Sequence, residues 1–506
     1  MTRFWVSERG RVLGLCALVG LVALAVYAVT AQRGVSWQDS GIFQHRVVTG
    51  TYTDLGDGGL AVVHPWYLKS ARLFCMAFPQ SLQVYAVNLY SGVGMALAVT
   101  LVFILTRLLT GSALAAIVAA VTLGLTHMGW WLATIAEVYT WSLAFLFAEL
   151  LCVLRLCLAP SDIVRQRAWC LLMFLNGMHA SLHNVAFLNL PVYGVLWLVY
   201  VRENQLPLRQ TFTRACLCAV CWLAGASLLV IMVVSDLSQT RSLVATLTSL
   251  LVGGRYGAAV MGAGGVNLRL AAGNMALTAV SFASPCWLCV VKIAKGTSGG
   301  NVFKRVLLAL TVIQALFWVR YFVPDQATFV LPTLGFGAVW LGLGAASFHK
   351  RTVCVLLALG CVSQVVVPWA LVVAARPHMA RLRSLPFRDE ARYWLVPWKH
   401  DERSAQRFAE EVEGKLGKGD VLIGDLTAVS PLAAARAAGM IAGEWRLVSE
   451  WSGESVEETF EITEKTLHEG GRVYVVSPVA GYAPTAILER FGFVREGVLW
   501  RMREKR

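Results

Sequence analysis

Long apolar runs separated by short polar breaks fill the first three-quarters of the chain. A run of about 17–25 apolar residues covers the hydrocarbon layer of a bilayer as a helix. By that measure about eleven spans are predicted, near 12–31, 84–106, 110–127, 132–154, 168–181, 183–200, 214–234, 271–291, 306–320, 327–347 and 352–374. Between Ala168 and Val201 hydropathy alone permits one helix. Asn176, Gly177, His179, His183 and Asn184 interrupt the run midway, which predicts two spans joined at one membrane face. The first run follows Arg3, Arg9 and Arg11 and is longer than the roughly 7–15 residues of a signal-peptide core, so it is expected to stay as an anchor.

Two segments between spans carry their own pattern. Residues 32–83 hold aromatic-rich stretches at Trp37–Val48 and Trp66–Phe78 that read as helices lying at the interface. Residues 235–270 are rich in Gly and Ser and predict no span. After Arg376 the pattern changes to short β-rich runs alternating with amphipathic helices: Val421–Gly424, a helix near 428–438, another near 456–469, Val473–Ser477, then 484–491. That order predicts a soluble α/β domain over 376–506 with a partly parallel sheet, behind a membrane domain over 1–375. The expected fold class is a polytopic α-helical membrane protein with a C-terminal soluble α/β domain.

Charge orients the spans. Residues 1–375 hold 24 Lys/Arg against 10 Asp/Glu, whereas 376–506 hold 20 of each, so the net +14 belongs to the membrane part. With the N-terminus in the cytoplasm, Arg107, then Arg155, Arg165 and Arg167, then Arg202, Arg209 and Arg214, then Lys292–Arg305, then Lys350 and Arg351 all fall on inner loops. That is the asymmetry of membrane insertion, and it argues against a nucleic-acid partner. An odd number of spans sends the C-terminal domain outside, and a bacterial inner membrane with a periplasmic domain fits best. All twelve cysteines precede the tail and, Cys75 apart, sit in or beside apolar runs, where cysteine acts as a small hydrophobe.

The scarce ionisable groups of the membrane part are functional candidates, because each is costly near hydrocarbon. Asp39, Asp54, Asp57, Glu137, Asp236 and Asp325 map to the outer side, with His64, His127, His179, His183, Arg241, Arg255 and Arg320. Asp39 follows Trp37 and Gln38; it could act as a general base with a desolvated carboxylate, or simply cap the helix that begins there. Glu137 lies in the apolar run Trp131–Phe147, where an unpaired carboxylate is expensive. His179 and His183, spaced i and i+4, could share a helix face toward a divalent cation, although no Glu-x-x-His companion supports one, and no cofactor is otherwise indicated. Outer arginines suit an anionic group such as a lipid phosphate, or lipid headgroups. No phosphate-binding glycine loop, Walker pattern or nucleophile elbow is present, so an activated donor must bring the energy, and at an outer face such a donor is naturally lipid-linked.

Trp37–Phe43 (WQDSGIF), His64-Pro65, Val87–Ser91 (VNLYS), Ala136–Tyr139 (AEVY), Gly177–Pro191 (GMHASLHNVAFLNLP), Tyr321–Pro332 (YFVPDQATFVLP), Pro386–Lys399 (PFRDEARYWLVPWK) and Arg472–Pro484 together resemble one family over nearly the whole chain. It is the family of multi-pass GT-C-type membrane glycosyltransferases that includes an endoplasmic-reticulum protein O-mannosyltransferase acting on plexin-type receptors. The resemblance implies an inverting transferase using a polyprenyl-phosphate sugar, with Asp39 as the catalytic acid of the first outer loop and a protein or glycan acceptor. It places His64, Glu137, His183 and Asp325 at other family motif positions, and Tyr321 opens one of those motifs. Arg255 and Arg320 are the candidates for stabilising the leaving lipid phosphate. Where the family continues His-Pro with Pro-Gly-Tyr-Pro, this chain has Trp66, Tyr67, Leu68 and Lys69, which leaves sugar and acceptor open. Two other classes compete: a lipid or glycan transporter, against which stands the lack of internal repeats, and a non-catalytic scaffold, which leaves Asp39 and Glu137 without a purpose.

Overall fold

The computed structural model describes residues 2–51, 59–253, 268–292, 300–379, 385–449 and 454–505; Asp54, Asp57 and Arg255 lie outside them. The first half runs through α1 (Thr2–Thr30), α2 (Gln38–Thr49), α3 (Pro65–Cys75), α4 (Gln83–Thr110), α5 (Ala113–Leu125), α6 (His127–Ala133), α7 (Tyr139–Cys157), α8 (Asp162–Leu182) and α9 (Leu190–Glu203). Then come α10 (Leu208–Gly225), α11 (Ser227–Thr240), α12 (Leu243–Leu251), α13 (Leu268–Val280), α14 (Gly300–Arg320), α15 (Leu331–Ala345) and α16 (Lys350–Met379).

Among the described residues seven helices are long and apolar enough to cross a membrane, or up to ten if three bent pairs each form one span. The pairs are α5 with α6, bent by 65°, α10 with α11, bent by 79°, and α13 with the 3₁₀ segment Pro285–Lys292, bent by 83°. The expected span 168–181 is the helix α8, but Asp162, Arg165 and Arg167 in its first turns keep it out of that set. The first bend has a local cause. At Thr126 the backbone turns extended while the hydroxyl accepts from Gly129 N at 3.2 Å, ending α5 and capping α6 in one residue. The expected start of a span at residue 132 is also corrected: the chain unwinds between Ala133 and Tyr139, and α7 begins only there. Residues 235–251, expected to be loop, form the end of α11 and all of α12, with Thr246 Oγ1 donating to Asp236 Oδ2 at 2.6 Å.

Packing within the bundle relies on small residues, since apolar side chains gain little by leaving lipid. The clearest case is α8 against α10. A Cβ on Gly177 would collide with Trp222 O, and one on Gly225 with Phe174 O, so the two backbones touch.

The C-terminal segment continues with α17 (Glu390–Leu395), α18 (Ser404–Lys415), β1 (Val421–Ile423), α19 (Leu426–Ala437), β2 (Arg446–Val448), α20 (Val456–His468), β3 (Val473–Val475), α21 (Thr485–Arg490), β4 (Phe491–Glu496) and β5 (Leu499–Glu504). The sheet order is β2-β1-β3-β5-β4. The first three strands are parallel, and β5 joins β3 and β4 antiparallel. The sheet is thus partly parallel, as the alternating pattern predicts. Helix α20 opens with a capping box between Ser455 and Glu458.

This segment shares a core with the membrane helices. Trp131 packs on Tyr393 and Trp394, Thr134 Oγ1 donates to Pro397 O at 2.8 Å, and Lys399 N donates to Thr30 O at 2.7 Å. The Lys399 ammonium is buried and donates to the carbonyls of Tyr393 and Val396 at the end of α17, where the helix dipole favours a cation. Burial still pulls its pKa down to about 7.

Candidate active site

Helix α2 carries the first candidate, and its entry is held by amides. Gln44 Oε1 accepts from Ser36 N at 2.8 Å, Gln44 Nε2 donates to Asn88 Oδ1 at 3.0 Å, and Asn88 Nδ2 donates to Gln32 O at 2.9 Å. Gln38 sits at φ 57°, a left-handed conformation that a non-glycine residue adopts only when its surroundings impose it. Asp39 follows in the first turn, exposed to solvent, where the helix dipole favours its anion. Its neighbour Ser40 is buried and donates to Glu137 Oε1 at 2.9 Å.

Glu137 occupies the unwound stretch before α7, outside both flanking helices. Ser91 Oγ clamps its backbone, accepting from Glu137 N and approaching Glu137 O, each at 2.8 Å, and Tyr67 OH lies 3.0 Å from the same Ser91 oxygen. The carboxyl is held well above the ordinary range of a glutamic acid, first by burial and then by the charge of Asp39. Tyr67 belongs to the stretch where the chain departs from the Pro-Gly-Tyr-Pro pattern. That departure therefore builds helix α3 and a buttress beneath Glu137.

His64 is the second left-handed residue, at φ 52°, immediately before Pro65 opens α3. Its Nδ1 lies 2.8 Å from Leu182 O, which assigns the proton to Nδ1 and leaves Nε2 as the acceptor. Burial keeps the ring neutral, lowering its pKa to about 4. It stacks on His183, with ring centres 5.0 Å apart, and His183 Nδ1 accepts from Val185 N at 3.1 Å. Tyr139 reaches both partners: its ring lies 5.4 Å from His183, and its hydroxyl donates to Asp325 Oδ2 at 3.2 Å. Asp325 is half-buried, and burial raises its pKa. Phe329 carries the contact on to Tyr321, with centres 4.8 Å apart. Arg320, next in the chain, is exposed and lies over Phe322.

Asp39, Glu137, His64, His183, Asp325 and Tyr321 thus join one continuous patch. His179 does not. Spaced i and i+4 from His183 in sequence, it stays on α8, while α8 ends at Leu182 and His183 adopts an extended backbone, so the two rings share no helix face. His179 Nδ1 instead meets Glu149 Oε1 at 2.8 Å, and its Nε2 lies 2.6 Å from Ser142 Oγ. Among the described residues no three His, Cys, Asp or Glu side chains gather as a metal site.

Two residues escaped the sequence reading. Arg46, buried in α2, lies close enough to His64 to help hold it neutral; its i+7 spacing from Asp39, which returns to the same helix face, was the available signal. Glu149, also buried, lies mid-helix in α7, where hydropathy alone showed one charge in an apolar run.

An exposed carboxylate beside a buried carboxyl whose pKa is raised, with neutral imidazoles and a hydroxyl-bound second acid nearby, suits proton transfer to and from an oxygen nucleophile. The fold supplies the context. Superposed on solved structures, the chain matches a crystal structure of ArnT from Cupriavidus metallidurans bound to undecaprenyl phosphate, with a TM-score of 0.61 at 12% identity, covering 97% of this chain and 98% of that one. The apo form of the same protein gives a TM-score of 0.59 at 14% identity over the same shares. In fold the chain is of the GT-C type. Residues 62–207 match the family model "Protein O-mannosyl-transferase TMEM260 N-terminal domain", in agreement with the resemblance carried by the sequence motifs. No curated protein sequence matches the chain. The family match spans α3 to α9 and so contains His64, Glu137 and His183, whereas Asp39 and Asp325 flank it.

Proposed function

We propose that this protein is an inverting glycosyltransferase that moves a sugar from a polyprenyl-phosphate donor to a hydroxyl or amide of a protein or glycan acceptor. The observation that carries the reading is the exposed Asp39 in the first turn of α2, one residue from the hydroxyl that holds Glu137, in a GT-C-type bundle. Asp39 takes the proton of the acceptor nucleophile as that atom attacks the anomeric carbon. The bond from that carbon to the phosphate oxygen breaks on the opposite face, and the polyprenyl phosphate departs as an anion. Glu137, kept protonated by burial, places no second negative charge beside Asp39 and fixes α2 through Ser40. Arg46, on the Asp39 face of α2, joins Arg320 and Arg255 as a candidate to meet the phosphate. The ArnT crystal structure with bound undecaprenyl phosphate supports a donor of this class.

The same reading gives eleven spans with the N-terminus in the cytoplasm and residues 376–506 as a soluble α/β domain on the outer face, in a bacterial inner membrane. Arg107, Arg155 and Arg202 lie in the last turns of α4, α7 and α9, at the ends remote from Asn88, Tyr139 and Asn189, which supports that orientation. The test is to incubate the purified protein with a panel of labelled polyprenyl-phosphate sugars and follow release of the lipid phosphate. Release from one of them, abolished in Asp39→Asn, is expected; a folded protein that releases none, or an Asp39→Asn variant as active as the parent, overturns the reading.

A further inference from the structure

Helix α2 presents three faces, and each meets something different. Ser40 and Gln44, four residues apart, face the membrane bundle through Glu137 and Asn88. Asp39 and Arg46 share the second face. The third is the stripe Trp37, Gly41 and His45 at i, i+4 and i+8, and it lies against the C-terminal segment. Trp37 Nε1 donates to Ser404 Oγ at 2.8 Å and the indole packs on Phe408, with ring centres 5.3 Å apart. His45 Nδ1 lies 3.2 Å from Ala433 O. Between them Gly41 faces Ser430 of α19 so closely that a Cβ on residue 41 would come within 2.8 Å of Ser430 Cβ.

Trp37 is almost completely buried and Ser430 fully so. Behind Trp37 stands Arg388, itself buried and paired with Glu390 through Nε and Nη2, each at 2.7 Å. On this third face Trp37 and Gly41 are buried and His45 is half-buried. The first turn of α2, with Gln38 held left-handed, is therefore fixed between a wall of the bundle and a wall made by α18 and α19.

We propose that α18 and α19 belong to the catalytic centre: they set the position of Asp39, and Ser430 and Ser404 are positioning residues that act through α2. The inference rests on the role of Asp39 given above. A carboxylate misplaced by about 1 Å can cost a reaction roughly a hundredfold, and on this side α2 and Trp37 rest on α18 and α19, with Arg388 behind the indole. Pushing α19 away lets the turn rotate about its Ser40 anchor.

The experiment uses the full-length protein. Ser430→Leu wedges α19 from Gly41; Ser404→Ala removes the acceptor for Trp37, and Ser404→Thr restores it. Turnover and KM for the polyprenyl-phosphate sugar are measured together with melting temperature and amide hydrogen exchange over residues 38–45. Ser430→Leu is expected to lower kcat at least tenfold with the donor KM changed less than twofold, and to speed exchange in α2 but not in α4. Ser404→Ala is expected to lose a few-fold in kcat, and Ser404→Thr to recover it. Unchanged kcat and unchanged α2 exchange in folded Ser430→Leu overturn the proposal, as does an Ser404→Thr variant no better than Ser404→Ala. If Ser430→Leu does not fold, the Ser404 pair decides. Asp39→Asn separates the two ideas: full activity in that variant removes the role of Asp39 itself, whereas an inactive Asp39→Asn beside a normal Ser430→Leu removes only the positioning role.

Discussion

Glu137 and Glu149 are both buried carboxyl groups of the helical bundle, and their surroundings differ in one respect. Glu149 is saturated: His179 Nδ1 at 2.8 Å, Asn189 Nδ2 at 3.0 Å, Tyr193 OH at 2.7 Å and Asn176 Nδ2 at 3.3 Å all point at it. Asn176 also donates to Ala186 O at 3.2 Å, so the network satisfies the 3₁₀ segment Asn184–Asn189 that follows the break at His183. Glu137 has a single hydroxyl donor to its carboxyl among the described residues, and an exposed acid beside it. A carboxyl that gathers donors from α8, the following 3₁₀ segment and α9 ties those elements to α7. One with a single hydroxyl donor, next to a solvent-facing acid, is the candidate for chemistry.

The largest expected effect tests the chemical side. Asp39→Asn should keep the fold and lose about 10²–10⁴ in turnover, the usual worth of a general base; retained turnover would break the comparison from that end. Next, Glu149→Leu should strand four buried donors and cost about 3–5 kcal/mol, as breaking a buried pair does. A thermal melt in detergent reads this, and a variant as stable as the parent would show that the network is not structural.

Glu137 comes third. Glu137→Ala should lower kcat about tenfold through loss of the Ser40 contact, while Glu137→Gln, which can still accept from Ser40, should lose less. Because the proton is held more tightly in the folded state than in the unfolded one, the stability from Glu137 is complete at low pH and is lost as pH rises through its folded value. An infrared band of a protonated carboxyl near neutral pH, absent from Glu137→Gln, is the direct observation. Its absence from the parent protein would place an ionised Glu137 against Asp39 and undo the assignment.

The smallest effect concerns His64. Its folded pKa of about 4 lies below the unfolded value near 6.5, so its contribution is complete above the unfolded value and falls as pH drops toward the folded one. Between pH 6.5 and 5.5 the loss should be about 1 kcal/mol. His64→Gln should flatten this part of the melting-temperature profile, and an unaltered slope would mean that another group titrates there.

Much of this was legible in the chain. The apolar runs are long enough that only helices satisfy their backbones in lipid, and the helices at Gln38–Thr49 and Pro65–Cys75 were readable from the aromatic-rich stretches Trp37–Val48 and Trp66–Phe78. The scarcity of acids pointed to Asp39, Glu137 and Asp325, and their shared side grouped them before any contact was known. The closing hairpin β4–β5 was missed because Arg495, Arg501 and Arg503 obscure the apolar alternation, although Gly497 at φ 63° marks the turn. A break in this run was read correctly, but it falls at His183, with Asn176, Gly177 and His179 inside α8, and the polar network was not read, since Glu149 lies 27 residues from Asn176 and 44 from Tyr193.

By itself, then, the sequence determined that most of the chain is solvated by lipid, because hydropathy acts residue by residue and needs no partner. Tertiary structure decided which carboxyl gathers four donors and which has one, and it decided that Trp37 and Gly41 face Ser404 and Ser430, hundreds of positions away. Those are properties of pairs, fixed only when long-range packing brings both members together.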